Sequence, residues 1–223
     1  MSPDVRILHI ERRPRQKRLR IHLSDARVLS LTPDIAARFN VAPSRALTAK
    51  HLGVITAAQD REDALAAALR LVASRPRSEQ EMRGALARRR VAASLQEEIV
   101  IRLKELGLLD DSAFAASFVE SRDGSSPRSR RLLAQELRQK GVSREIAAES
   151  TSAMDDGDAA RRAGERRAAA MAELAYPDFE RRLGSFLLRR GFSYETTQQT
   201  VRSLWQEHAV GKRQQAEHPS NSP

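Results

Sequence analysis

The side chains in this chain that could do chemistry are arginines and paired aspartates. Asp110-Asp111 and the run Asp155-Asp156-Gly157-Asp158 bring carboxylates together, as a metal site or an acid–base pair requires. Neither completes one. No histidine or third acid stands at ligand spacing beside Asp110-Asp111, and the pair follows a helix-ending Gly107. It reads as the cap of the next helix, with Leu108 and Leu109 filling the gap between structural units. The second run lacks the glutamate that closes a calcium loop, so it reads as a turn between units. The five histidines (His9, His22, His51, His208, His218) include no pair at i, i+4. The absence of cysteine removes disulfides, Cys-based zinc, iron–sulfur clusters and a thiol nucleophile. Neither GxxxxGK[ST] nor a GxGxxG after a strand occurs, so nucleotide hydrolysis and dinucleotide chemistry lack their phosphate cradles. No enzyme activity, cofactor or metal is expected.

The arginines point elsewhere. Among 223 residues, 39 Lys+Arg face 29 Asp+Glu, a net charge of +10. Residues 1–60 carry +6, residues 61–109 +3, residues 110–157 −2 and residues 158–223 +3. Such a chain is drawn to nucleic acid or to an acidic protein assembly. Only 4% of residues are aromatic, which disfavours modules that stack bases on aromatic platforms. No apolar run approaches 18 residues, and the opening MSPDVRILHIERR carries no apolar stretch of signal length. A cytoplasmic location is expected.

The elements that must position these charges begin with strands. Val5–Ile10 is β-branched and aliphatic, and Leu19–Leu23 alternates with period two. Between them Arg12, Arg13, Pro14, Arg15, Lys17 and Arg18 form a basic tip that cannot pair as a central strand. A third strand over Arg27–Leu31 and a short helix over Asp34–Phe39, capped by Thr32-Pro33, complete this region. Beyond Thr48 the pattern is helical, with segments Ala49–Gln59 and Asp63–Ser74. Ser78–Glu81 and Ser94–Glu97 read as capping boxes, and Gly107, Gly141 and Gly191 as helix ends.

An internal repeat organises the rest. Met82, Leu86, Arg89 and Val91 recur as Leu133, Leu137, Lys140 and Val142, a shift of 51, and again as Leu183, Leu187, Arg190 and Phe192, a shift of 50. Leu95/Ile146/Thr196, Val100/Thr151/Val201 and Leu103/Met154/Leu204 continue the register. The fold class is therefore mainly α: three tandem three-helix units in an elongated array, preceded by a small β-hairpin and short-helix region. The expected divisions are 1–59 for the N-terminal region, 60–109, 110–157 and 158–208 for the repeats, and 209–223 for a disordered tail.

Specific residues in this frame resemble the RecX family of bacterial recombination regulators. The resemblance rests on Arg75-Pro76-Arg77-Ser78-Glu79 with Met82 and Leu86, and on Gly107–Asp111 with Phe114-Ala115, Phe118-Val119 and Arg122. Glu136-Leu137 leading to Lys140-Gly141-Val142, and Arg189-Arg190-Gly191-Phe192 in the third repeat, match its helix endings. Arg90 departs from the pattern, standing where a glycine before Val91 is usual. The chain shows no obvious dimerisation seam, so a monomer is expected; the resemblance implies a non-enzymatic protein of tandem three-helix repeats that binds the RecA–DNA filament. It would inhibit filament growth, ATP turnover and strand exchange, and so modulate recombination and repair, with DNA as a second potential partner.

Candidate contact residues are the recurring cations Arg89, Lys140 and Arg190, the cluster Arg128, Arg130 and Arg131, its counterparts Arg181 and Arg182, and the hairpin tip Arg12, Arg13, Arg15, Lys17 and Arg18. For the recurring cations a second reading stays open, since a cation at a helix C-terminus also complements the helix dipole. Arg128, Arg130 and Arg131 stand as a cluster at a helix start, where the dipole disfavours them, which favours an external anion. Trp205 and Phe114 read as core. Two other functions compete: a stand-alone helix–turn–helix-like DNA-binding protein, and a helical scaffold whose charge serves solubility. The repeat model makes a prediction about shape. Small-angle scattering should give an elongated particle, and a profile fitted by a compact sphere would refute the array.

Overall fold

A repeat of about fifty residues holds too little apolar surface to close a core alone, so its helices must pack on neighbours. The computed structural model describes residues 4–14, 16–171 and 173–217, with side chains through His208. Among them stand four strands and ten helices. Met1–Arg75 with Met82–Glu105 forms one compact unit, and Pro76–Glu81 with Leu106–Pro223 forms the other.

In the first unit, β1 (Val5–Arg12) and β2 (Leu19–Leu23) make the expected hairpin, with a bulge between Ile7 and His9. β3 (Val28–Leu31) pairs with β2, and β4 (Ala46–Leu47) with the other edge of β1, giving the order β3-β2-β1-β4. β4 was not expected; two residues carry no periodicity to read. Period-two alternation puts Ile7, Ile21, Leu23 and Leu31 on one buried face. α1 (Pro33–Arg38) starts at Thr32, whose hydroxyl accepts from the Ile35 N–H. α2 (Ala49–Ser74) closes the face with Leu52 and Ile55.

α2 is one helix of 26 residues where the sequence reading broke it after Gln59, so the division at 59/60 falls inside it. The polar stretch Asp60-Arg61-Glu62 holds no glycine or proline to end a helix, and tertiary contacts anchor it. Gln59 is buried and accepts from the Thr32 N–H at 2.7 Å, Asp63 pairs with Arg18, and Arg61 pairs with Glu98. α3 (Glu79–Arg88) and α4 (Ala93–Glu105) complete the first repeat. The second expected capping box fails, because Ser94 is the second residue of α4 rather than its cap, and Glu97 pairs with Arg83 at 3.1 Å.

In the second unit, α5 (Asp111–Ser125), α6 (Arg130–Gln139) and α7 (Arg144–Thr151) form one repeat, and α8 (Asp156–Ala169), α9 (Tyr176–Arg189) and α10 (Tyr194–Glu217) the next. The repeating skeleton is the core: Met82, Leu86, Leu133, Leu137, Leu183 and Leu187 are all fully buried. Leu109 is buried as expected of a gap-filler, but Leu108 is exposed. The last repeat differs. α9 begins a turn earlier than α6, so Phe179 stands where α6 has its cap serine, and Tyr176, Phe179 and Trp205 pack as an aromatic cluster. α10 continues to Glu217, through most of the stretch read as a tail, and residues 218–223 lie outside the described residues.

Within this unit, Pro76–Glu81 and the loop before α6 dock the same way on the repeat that follows each. Ser78 and Ser129 are both fully buried, and each hydroxyl caps its own helix by accepting from the Glu81 or Leu132 N–H. Ser78 Oγ also donates to the Lys140 carbonyl, and the Ser129 N–H donates to the Arg190 carbonyl at 3.0 Å. Asp111 Oδ1 accepts from the Glu79 N–H and Asp156 Oδ1 from the Arg130 N–H, so the aspartate opening each following repeat caps the helix before it.

That approach leaves no room beside Gly141 and Gly191, at φ +87° and +86°. A Cβ on Gly141 would overlap Gln80, and one on Gly191 would lie 2.6 Å from Ser129 Oγ and 2.7 Å from Leu132 Cβ. Arg90, their counterpart in the first repeat, holds φ +60° with a side chain present. Gly141→Ala and Gly191→Ala should each cost about 2–5 kcal/mol, from left-handed strain plus overpacking. Arg90→Gly should be neutral or stabilising by up to about 1 kcal/mol. Thermal unfolding of the three variants checks this, and equal costs at positions 90 and 141 would overturn it.

Candidate functional site

The folded chain divides the candidate cations into two groups. Some hold the structure together. Lys140 Nζ pairs with Glu81 at 2.8 Å and lies 5.5 Å from the Phe118 ring centre. Arg190 donates to Ser126 Oγ and the Pro127 carbonyl, both at 2.9 Å, with its guanidinium 4.5 Å from the Phe186 ring centre. Lys140 ties the first turn of α3, and Arg190 the loop before α6, to its own helix end. Arg128 is half-buried and ion-paired with Glu136, while Arg13 pairs with Glu11 and Arg18 with Asp63. Arg181 pairs with Asp178 on the same helix at 2.6 Å and stays mostly exposed.

The others face solvent unpaired. Arg12, Lys17, Arg89, Arg130, Arg131 and Arg182 are exposed and make no ion pair among the described residues. Arg130 and Arg131 are the first two residues of α6, as expected, with the Asp156 carboxylate on the Arg130 backbone offsetting the dipole there. Arg89 lines a separate groove of the first unit with Lys17, Arg18 and Arg90. Arg15 lies outside the described residues. Phe114 is buried, and Trp205 is half-buried, packed against Tyr176 and Phe179.

Seven arginines line a groove of about 980 Å³ between α8, α9 and the loop after α5. α8 contributes Arg162, Arg166 and Arg167, and α9 contributes Arg181, Arg182, Arg189 and Arg190. Its two acids are already engaged, Asp123 by Arg162 at 2.5 Å and Glu165 by Arg161 at 3.0 Å. Burial first, then the neighbouring Arg167, lowers the pKa of Arg190 from its ordinary value; Arg128 is lowered by burial, then by Arg122 and Arg190. Like charges crowd here without full compensation. The sequence reading named Arg181, Arg182 and Arg190 but missed Arg162, Arg166, Arg167 and Arg189. The signal was present as arginine doublets: 161-162 and 166-167 on one helix, 181-182 and 189-190 on the next.

No group of three or more potential metal ligands forms among the described residues, and none of their helices is long and apolar enough to cross a membrane. Models of the first, second and third three-helix domains of RecX match residues 64–103, 110–150 and 155–201. The chain belongs to the RecX family. Curated relatives are named regulatory protein RecX. One from Pelodictyon phaeoclathratiforme is 33% identical over 141 residues, covering 63% of this chain and 88% of that one. One from Mycobacterium ulcerans is 37% identical over 136 residues, covering 59% and 79%. Two solved structures share the fold: a regulatory protein RecX at TM-score 0.61 and 20% identity, covering 88% of this chain and 98% of that one, and RecX from Lactobacillus salivarius at 0.57 and 23%, covering 66% and 97%.

The division of cations predicts different costs within one cluster. Arg128→Glu places a carboxylate against Glu136 and leaves that half-buried acid only its longer pair with Arg122 at 4.0 Å, so it should destabilise by about 1–3 kcal/mol. Arg130→Glu and Arg131→Glu should stay within about 0.5 kcal/mol of the parent. Denaturant unfolding separates these outcomes, and an Arg128→Glu protein as stable as the parent would show that the ion pair does not brace the loop.

Proposed function

We propose that this RecX-family protein acts, without catalysis of its own, by binding the RecA–DNA filament in the cytoplasm. There it restrains filament growth, and with it RecA's ATP turnover and strand exchange, modulating recombination and repair. The observation that carries this reading is the run of three consecutive RecX three-helix domains, on which unpaired cations stand exposed in more than one repeat. Repeats displaying Arg89, Arg130 and Arg131 suit a partner that is itself periodic and anionic. A stand-alone helix–turn–helix reader fits less well. Such proteins insert the start of a recognition helix into DNA, whereas the α6 start is docked through Ser129 and Arg130 on Arg190 and Asp156.

The test is suppression of RecA-catalysed strand exchange by the full chain. Exposed charges are individually worth about 0–1 kcal/mol, so single substitutions should be mild. Arg89, Arg130 and Arg131 changed together to glutamate should raise the concentration needed for suppression about 10- to 100-fold, with the fold intact and suppression by the parent weakening as salt rises. A parent that does not suppress the reaction overturns the proposal. A folded triple variant that suppresses as well as the parent removes these cations from the contact.

A further inference from the structure

We propose that the arginine groove of the last repeat binds the phosphate backbone of single-stranded nucleic acid, directly and without the recombinase. This goes beyond the filament reading, because it assigns the protein a nucleic-acid site of its own.

The groove is not a by-product of the repeat. Superposing the repeats by their caps (Asp110 on Asp155) and second helices (Leu133 on Leu183) sets Ser117, Ser121, Leu132 and Gln139 opposite Arg162, Arg166, Arg182 and Arg189. The preceding repeat folds on the same skeleton without those cations, so the architecture does not require them. Arg190, by contrast, stands opposite Lys140, and both of these cations have structural partners. Arg166, Arg182 and Arg189 are exposed, converge from both walls and have no ion pair among the described residues. With both lining acids engaged by arginines, the groove holds an excess of positive charge that an entering polyanion would neutralise.

The geometry selects among polyanions. Guanidiniums suit phosphate oxygens through paired N–H donors. On α9 the doublets 181-182 and 189-190 lie eight residues apart, about 12 Å along the axis, so the wall offers charge as a track rather than a point. A duplex presents its phosphates on the outside of a broad, stiff rod, whereas a single strand can bend in between the two arginine-bearing walls and meet both. The one ring in the groove, Phe186, is already engaged by Arg167 at 4.8 Å and Arg190 at 4.5 Å, so it offers no stacking platform and recognition should be blind to sequence.

Fluorescence anisotropy of labelled single-stranded oligonucleotides, titrated with the full chain alone, tests this. Oligonucleotides of different sequence should bind alike. The logarithm of the binding constant should fall against the logarithm of salt with a slope near about −2, as for roughly three phosphates on a single strand. Arg166, Arg182 and Arg189 changed together to glutamate should weaken binding about tenfold or more with an unchanged circular dichroism melt; glutamine at the same positions gives a milder, graded loss should the glutamate variant not fold. Failure of the parent to bind, equal binding by the folded variant, arginine-dependent binding of a duplex as tightly as the single strand, or preferential binding of polyglutamate would each overturn the proposal. Strand exchange with the same variant keeps the two readings apart. Loss of oligonucleotide binding with full suppression leaves the filament reading standing, whereas oligonucleotide binding without suppression by the parent sinks that reading and leaves the site.

Discussion

The close approach of a buried serine loop to the helix end of the following repeat is the contact on which the second unit depends. It joins three terms that are each costly to leave unmade: orphan N–H groups at a helix start, a carbonyl at a helix end, and a left-handed residue with no room for a side chain. Ser78 and Ser129 are polar yet fully buried, which is tolerable only because their hydrogen-bonding groups are met locally and across the junction. The aspartate opening the following repeat then caps the helix before it, so each repeat completes its predecessor's hydrogen bonding as well as its core.

This junction also explains where the acids and bases lie. Asp110, Asp111, Asp155 and Asp156 sit at helix starts, with their oxygens on backbone N–H groups. Carboxylates committed this way are poorly placed to balance exposed arginines. Cations needed at the junction, Lys140 and Arg190, are held by Glu81 and by the loop at Ser126-Pro127. What remains is a surface on which several arginines are outnumbered by nothing, and the last repeat concentrates them in one groove. The charge excess therefore arises from arginines added to a skeleton that is already electrostatically complete.

Much of the fold was legible because it depends on local chemistry. The apolar steps at Leu133-Leu137 and Leu183-Leu187, the cap at Thr32 and the alternation in Leu19–Leu23 each report a periodicity or a backbone requirement. What was not legible depends on partners distant in sequence. The unbroken α2 rests on Thr32, Arg18 and Glu98 reaching a polar stretch that looks like a linker by itself. Recurrence of Arg89, Lys140 and Arg190 signalled a shared position, but not that Lys140 pairs with the start of α3 and Arg190 with the loop before α6. The groove was half-seen: the doublets are plain in the sequence, yet only the packing of α8 beside α9 turns two stripes into one concavity.

The exception at Arg90 follows from the same constraint. A glycine is required where another chain segment passes within a methyl's reach, as Gln80 does at Gly141 and Ser129 at Gly191. At the first repeat no earlier repeat exists to supply such a segment, and the turn at Arg90 lines an open groove. The left-handed conformation there costs only about 1–2 kcal/mol, and a side chain is admitted. In the last repeat the cap serine gives way to Phe179, and an extra turn at the start of α9 brings Tyr176 against Trp205, which also packs on Phe179. Where the junction contact is made, at Gly141 and Gly191, the pattern holds; where it is not made, at Arg90, the pattern loosens.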